Sequence, residues 1–117
     1  MATFSKQLLS GSTNGKAIKV AATATAGTLI HTAASGTSTI DEIWLYAHNT
    51  SSAAVKLTIE WGEATAPDGH IEINIGAEGT GMVLVAPGIP LQNSLVVRAF
   101  AGTANVINIF GYINRIS

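Results

Sequence analysis

The stretch Ile40-Asp41-Glu42-Ile43-Trp44-Leu45-Tyr46-Ala47-His48, followed after Asn49-Thr50-Ser51-Ser52 by Val55-Lys56-Leu57-Thr58-Ile59-Glu60-Trp61, decides the fold class. Both halves alternate with a period of two. Side chains on a strand point to opposite faces in turn, so Ile43, Leu45 and Ala47 share one face, and Glu42, Trp44, Tyr46 and His48 share the other. The first is a core face. The second is amphipathic and aromatic, and suits contact with a neighbour. In the second segment Val55, Leu57, Ile59 and Trp61 point inward, while Lys56, Thr58 and Glu60 point outward. The four polar residues between the segments predict a turn, so the two strands read as an antiparallel hairpin.

The same punctuation recurs along the chain. Asn14-Gly15 is a hairpin-turn signal, because both residues tolerate positive φ. Lys16–Ala22 and Thr28–Thr32 read as strands on either side of Gly27. Ala66-Pro67-Asp68-Gly69 has turn chemistry, and Ile71, Ile73 and Ile75 then alternate with Glu72 and Asn74. Gly76 to Gly81 reads as a flexible loop. Met82–Val85 reads as a short strand that Pro87-Gly88-Ile89-Pro90 ends. Leu95–Phe100 and Val106–Ile113 follow, with Gly102 between them. About eight short strands at intervals of roughly 8–12 residues, with no sustained 3.6-residue period, predict an all-β antiparallel sandwich of jelly-roll type in a single domain. Residues 1–15 are expected to form an N-terminal arm and residues 16–117 the sandwich. Phe4, Leu8 and Leu9 are the expected anchors of that arm.

The 117 residues fit one domain, and only 11% of them are charged, against roughly 25% in soluble domains generally. The mean hydropathy is +0.36. Few charged side chains are available to cover a monomer, so part of the surface is expected to be buried against other chains. The net charge is −1 and the six basic residues are scattered. This argues against nucleic acid as a partner. There is no cysteine, hence no disulfide framework and no thiolate metal site. The N-terminal residues show no signal-peptide core, and no apolar run approaches the ~20 residues that span a bilayer. A soluble chain made in a cytoplasm, with no membrane partner, is the expectation.

The motifs that imply chemistry fail on their spacing. Gly11-Ser12-Thr13-Asn14-Gly15-Lys16 is one residue short of a phosphate-binding loop, and Ala17 stands where a magnesium-binding hydroxyl is needed. Gly76, Gly79 and Gly81 are not spaced as a dinucleotide fingerprint. Gly36-Thr37-Ser38-Thr39-Ile40 lacks the second glycine of a nucleophile elbow. Asp41 and Glu42 are adjacent, so on a strand they face apart. Glu60 and Glu63 flank Trp61 and Gly62 near a strand end, and Glu60 and Glu72 are a carboxylate pair that strand pairing could bring together. His31, His48 and His70 have no short metal-ligand spacing, and a site would need distant strands to converge. His70, near Asp68, is the one to test for metal. No catalytic, cofactor or metal residue is assigned. Trp44 and Tyr46 are the preferred interface residues, since aromatics are enriched at binding hot spots.

Several stretches resemble small virion proteins of tailed bacteriophages. They are Gly27-Thr28-Leu29-Ile30-His31-Thr32-Ala33, Asp41 to Asn49, Leu57-Thr58-Ile59-Glu60-Trp61-Gly62, Val83-Leu84-Val85-Ala86-Pro87-Gly88 and Gly111-Tyr112-Ile113-Asn114-Arg115-Ile116. The chain from about residue 16 onward is similar to the capsid cement, or decoration, proteins. That resemblance implies a β-sandwich or jelly roll, frequently a homotrimer, bound outside an icosahedral shell. It implies the major capsid protein as partner, the virion as location after assembly in the host cytoplasm, and neither catalysis nor cofactor. A carbohydrate- or receptor-binding domain of a tail fibre or adhesin is the alternative, with its site at Trp44 or Tyr46. A metal-dependent enzyme built on the three histidines is the third reading.

Overall fold

A computed structural model describes residues 2–117; Met1, the first residue of the expected arm, lies outside the described residues. The described residues are all-β, with nine strands and one 3-10 turn. In order they are β1 (Phe4–Leu8), β2 (Ile18–Lys19), β3 (Thr28–Thr32), β4 (Ile40–Asn49), β5 (Val55–Trp61), β6 (His70–Ile75), the turn Glu78–Thr80, β7 (Val83–Leu91), β8 (Val96–Ala101) and β9 (Ile107–Ile116). Sheet A runs β1-β9-β4-β7, with β2 also on β9, and sheet B runs β3-β8-β5-β6. Every pairing is antiparallel. β1 and β2 follow one another along the same edge of β9, so the nine strands occupy eight lanes. From β2 onward each connection changes sheet except β5 to β6. This is the strand order of a jelly roll.

The alternation read from the sequence places the core. Ile43, Leu45 and Ala47 of β4, with Ile107, Ile109 and Ile113 of β9, meet Leu57, Ile59, Val97 and Ala99 of sheet B, all fully buried. Burying each Ile or Leu side chain contributes about 1.5–3 kcal/mol. Two close approaches fix the β4 surroundings. A Cβ at Gly111 would overlap the carbonyl oxygen of Trp44, and one at Gly88 (φ +71°) would lie 2.8 Å from Trp44 Cζ2.

Four expectations need correction. β4 and β5 do not form a hairpin; they lie in opposite sheets, with their core faces toward each other. Buried Asn49 holds the crossing, since its Nδ2 donates to the carbonyls of Ala53 and Ile75 while its Oδ1 accepts from Ser51 N–H. Asn14 and Gly15 do take positive φ, and Lys16 N–H closes the turn onto Thr13 O. The flanking strands, however, pair with β9 and not with each other. The Pro87–Pro90 segment does not end β7. The strand continues to Leu91 through two bulges, where Val85 and Gly88 are the extra residues. As an edge strand it tolerates prolines, because one side of its backbone has no ladder to lose.

The fourth correction concerns the arm. Residues 4–8 are an edge strand of the sandwich itself, and Leu9 is a core residue, 2% exposed. Leu9 continues the β1 alternation onto the inner face, which removes it from the surface anchors. Phe4 and Leu8 remain exposed, at 70% and 54%.

Candidate functional site

Directly opposed residues in an antiparallel ladder share a face. The register therefore assembles the outer face of sheet A row by row. Phe4, Ile116 and Ile40 form one row, and Lys6, Asn114, Glu42 and Pro90 the next. Leu8, Tyr112, Trp44 and Pro87 form the third, and Phe110, Tyr46 and Leu84 the fourth. Its charged side chains are Lys6 and Glu42, joined at the far end by Lys19 opposite Asn108. Phe4, Leu8, Ile40 and Leu84 are exposed apolar residues on this face. Scattered exposed leucines are ordinary, but here apolar and aromatic rows lie on both sides of the single polar row of Lys6, Asn114 and Glu42, and clustered apolar surface of this kind marks an interaction surface.

The centre of the face is held rigid. The Trp44 and Tyr112 rings stack 6.3 Å apart at 12°. The Lys6 ammonium sits 4.7 Å from the centroid of Tyr112, a cation–π contact. Trp44 Nε1 donates to Glu42 Oε1 at 2.8 Å, and Asn114 Nδ2 donates to the same oxygen at 3.0 Å. These two hydrogen bonds, Trp44 first, hold the Glu42 carboxyl below its ordinary range. Trp44 thus lies between the Tyr112 ring on β9 and the Gly88 backbone on β7. Both indole faces are occupied, so Trp44 offers a partner its edge and no stacking platform. Of the proposed interface residues, Phe4, Leu8, Trp44 and Tyr46 come together on this one face, and Leu9 does not.

A buried polar cluster, unforeseen in the sequence, ties the N-terminal segment to both sheets. Asp41 is fully buried and accepts from Arg115 Nε (2.8 Å) and Nη2 (2.9 Å), from Ala34 N–H (3.1 Å) and from His31 Nε2 (2.8 Å). Ser10 N–H donates to His31 Nδ1 at 3.0 Å. Nδ1 is thereby an acceptor, which places the imidazole proton on Nε2, facing Asp41. Burial pushes the Asp41 carboxyl up, but the hydrogen bonds from Arg115 and His31 and the Arg115 charge outweigh it and hold the group below its ordinary value. Ser10, His31 and Asp41 follow one another as in a nucleophilic triad, yet the geometry differs. Ser10 contributes its backbone N–H, while its Oγ accepts from Thr32 N–H at 2.7 Å. Neither His31 nitrogen faces the hydroxyl as a free base, so the cluster acts as a strut.

Sheet B carries the other polar group. His70 on β6 and Phe100 on β8 meet edge to face at 5.8 Å, although the strands that bear them flank β5. Two strand spacings are about 9.6 Å, so the rings lean together over β5 and cover Thr58 and Glu60. Those residues do point outward as expected, but only 3% and 1% of their surface is exposed. Glu60 Oε1 accepts from Gly27 N–H at 2.6 Å, and its Oε2 has no partner among the described residues. Glu60 does not meet Glu72, which pairs with Lys56 at 2.7 Å. The three histidines sit apart: His31 on Asp41, His48 Nε2 3.1 Å from the carbonyl of Glu78, His70 against Phe100. No three His, Asp or Glu side chains group as metal ligands would among the described residues.

No family model, curated protein or solved structure matches the chain. The clusters are closed on themselves, and the face is open. No described helix is long and apolar enough to cross a membrane.

Proposed function

We propose that this chain is a structural protein of a virus particle, a decoration protein that binds the outside of a tailed-phage head and stabilises it. The observation that carries the reading is the outer face of sheet A: largely apolar and aromatic, and pre-stiffened by the Trp44–Tyr112 stack and the Glu42 hydrogen bonds. Such a face loses little side-chain entropy on association, which favours repeated protein contacts. On a particle the same modest contact recurs many times, and affinity accumulates through multivalency. Jelly rolls serve in viral capsids and in lectins alike, so the fold alone does not choose between them. A lectin-type site at Trp44 is disfavoured because both faces of that indole are taken. The stretches from Gly27 onward that resemble decoration proteins include β4 and the C-terminal half of β9, the two central strands of this sheet.

Quantitative mass spectrometry of purified source particles tests the reading. Abundance comparable to the major capsid protein is the expected outcome. A handful of copies per particle would move the chain to a tail or fibre, and its absence from particles would overturn a virion role.

A further inference from the structure

We propose that the outer face of sheet A is closed by a second copy of this chain, related by a two-fold axis parallel to the strands, with Phe4 of each copy seated in a hollow of the other. This rests on the structural role proposed above and takes from it only that this face is an assembly surface; the protein contact it makes is then with a second copy, and the head is met by the surface left outside the pair.

The knob and the hollow lie at opposite ends of one row. Phe4, at the β1 edge, is the most exposed large apolar side chain of the face, at 70%. At the β7 edge, Ile40, Pro90, Leu91 and Gln92 line a hollow of about 210 Å³. A cavity of about 150 Å³ admits a benzene ring, so the hollow accommodates a phenyl group. Both features open on the same side of the sheet. When two copies are laid face to face, a two-fold along the strand direction keeps each row at its level and exchanges its left and right ends. Each Phe4 then arrives over the other copy's hollow. The contact is isologous and satisfies itself twice.

Two further features fit the same operator. It places Trp44 of one copy opposite Tyr112 of the other. It sets Lys6 one strand spacing from the second copy's Glu42, which pairs the two opposite charges of the central rows. The size is also adequate. Four lanes of ~4.8 Å by ten residues of ~3.4 Å give roughly 650 Å² per copy, or about 1,300 Å² in all, within the range of stable interfaces.

Sedimentation equilibrium of the full chain, from about 1 to 100 µM, tests this with two variants and their mixture. Wild type should be a dimer. Phe4→Ala removes both knobs, and Ile40→Trp fills both hollows, so each variant alone should dissociate at least a hundredfold more readily. Mixed together, they restore one knob and one hollow, and the mixed pair should regain roughly the square root of that loss. Phe4 and Ile40 are exposed, and circular dichroism should show both variants folded. A monomeric wild type, a trimer, a dimer indifferent to Phe4→Ala, or a mixture no tighter than its parts would each overturn the two-fold. Binding of the wild type to undecorated phage heads is read separately. Monomeric protein that still coats heads would leave the decoration reading standing while this inference falls; a dimer that ignores heads would do the reverse.

Discussion

Replacing Asp41 with alanine tests whether the buried cluster of Asp41, His31 and Arg115 holds the two sheets and the N-terminal segment together. Four hydrogen bonds end on this carboxylate. The Arg115 side chain is 31% exposed, so its guanidinium can turn to water and contributes little to the loss. His31 is 1% exposed, and its Nε2–H becomes a buried donor without a partner, which costs about 1–3 kcal/mol. The half-buried Ala34 N–H adds a smaller amount. The sum is about 3 kcal/mol, a large part of the 5–15 kcal/mol that typically separates folded from unfolded chains. With a urea m-value of about 1.5 kcal/mol/M, the unfolding midpoint should fall by about 2 M. Asp41→Asn should lose less, because an amide oxygen placed at Oδ2 still serves His31 and Ala34. The wild type also has a pH signature. Its folded carboxyl is held below the ordinary 3.8, so its stabilisation is complete above that value and drains away as pH falls through the lower folded pKa. Asp41→Asn should flatten that acid limb. A midpoint shift under about 0.5 M for Asp41→Ala, with wild-type acid behaviour retained, would refute the strut.

Gly111→Ala drives a Cβ into the Trp44 carbonyl at the centre of sheet A and should cost about 2–3 kcal/mol by urea denaturation, as overpacking does. Leu9→Ala should lose about 2–4 kcal/mol as a core truncation, while Phe4→Ala, at a residue 70% exposed, should leave monomer stability nearly unchanged; equal effects would show that Leu9 is not in the core. Glu60→Ala removes the acceptor of the buried Gly27 N–H and should cost about 1–3 kcal/mol. Glu60→Gln keeps that acceptor and changes only the unpartnered oxygen, so it should cost distinctly less, and a larger loss for Gln than for Ala would show that the second oxygen has a partner.

The fold class was legible because alternation survives on almost every strand. The core face of β4 follows from Ile43, Leu45 and Ala47 alone. The pairing was not legible. Asn49-Thr50-Ser51-Ser52 has the composition of a hairpin turn, and nothing local says that Asn49 will be buried and its amide spent on Ala53 and Ile75, which carries the chain to the other sheet. Pro87 and Pro90 read as breakers because their tolerance depends on β7 lying at an edge, which is a property of the whole sheet. Leu9 was misplaced for a similar reason: one apolar residue at the end of a short strand shows no period. The site divides the same way. Trp44 and Tyr46 were visible as a non-core aromatic face, and Phe4 and Leu8 as anchors of an N-terminal arm. That they share one surface needs the registers of β1 and β4 on β9. The one available signal was that β4 and the C-terminal segment alternate over similar lengths. The Asp41 cluster draws on residues 10, 31, 41 and 115, and no spacing rule connects them.

The two outer faces of the sandwich differ in a way that bears on function. Sheet B shows Lys56, Glu72 and Arg98 to solvent and folds its aromatic ring, Phe100, down over Thr58 and Glu60 with His70. Apart from Leu29, opposite Arg98 and 38% exposed, its large apolar side chains are covered within the chain. Sheet A carries as many charged residues, Lys6, Glu42 and Lys19, so the contrast lies in the apolar ones: Trp44 stacks on Tyr112 and is tied to Glu42, and the exposed apolar residues lie at both lateral edges of the face as well as one end. A sheet facing water on one side normally alternates polar outward, and β4 and β9 break that rule at matched positions, Trp44 with Tyr112 and Tyr46 with Phe110. Paired violations across a central ladder stiffen a surface without helping it dissolve, which is the combination an assembly face requires and a solvent face does not.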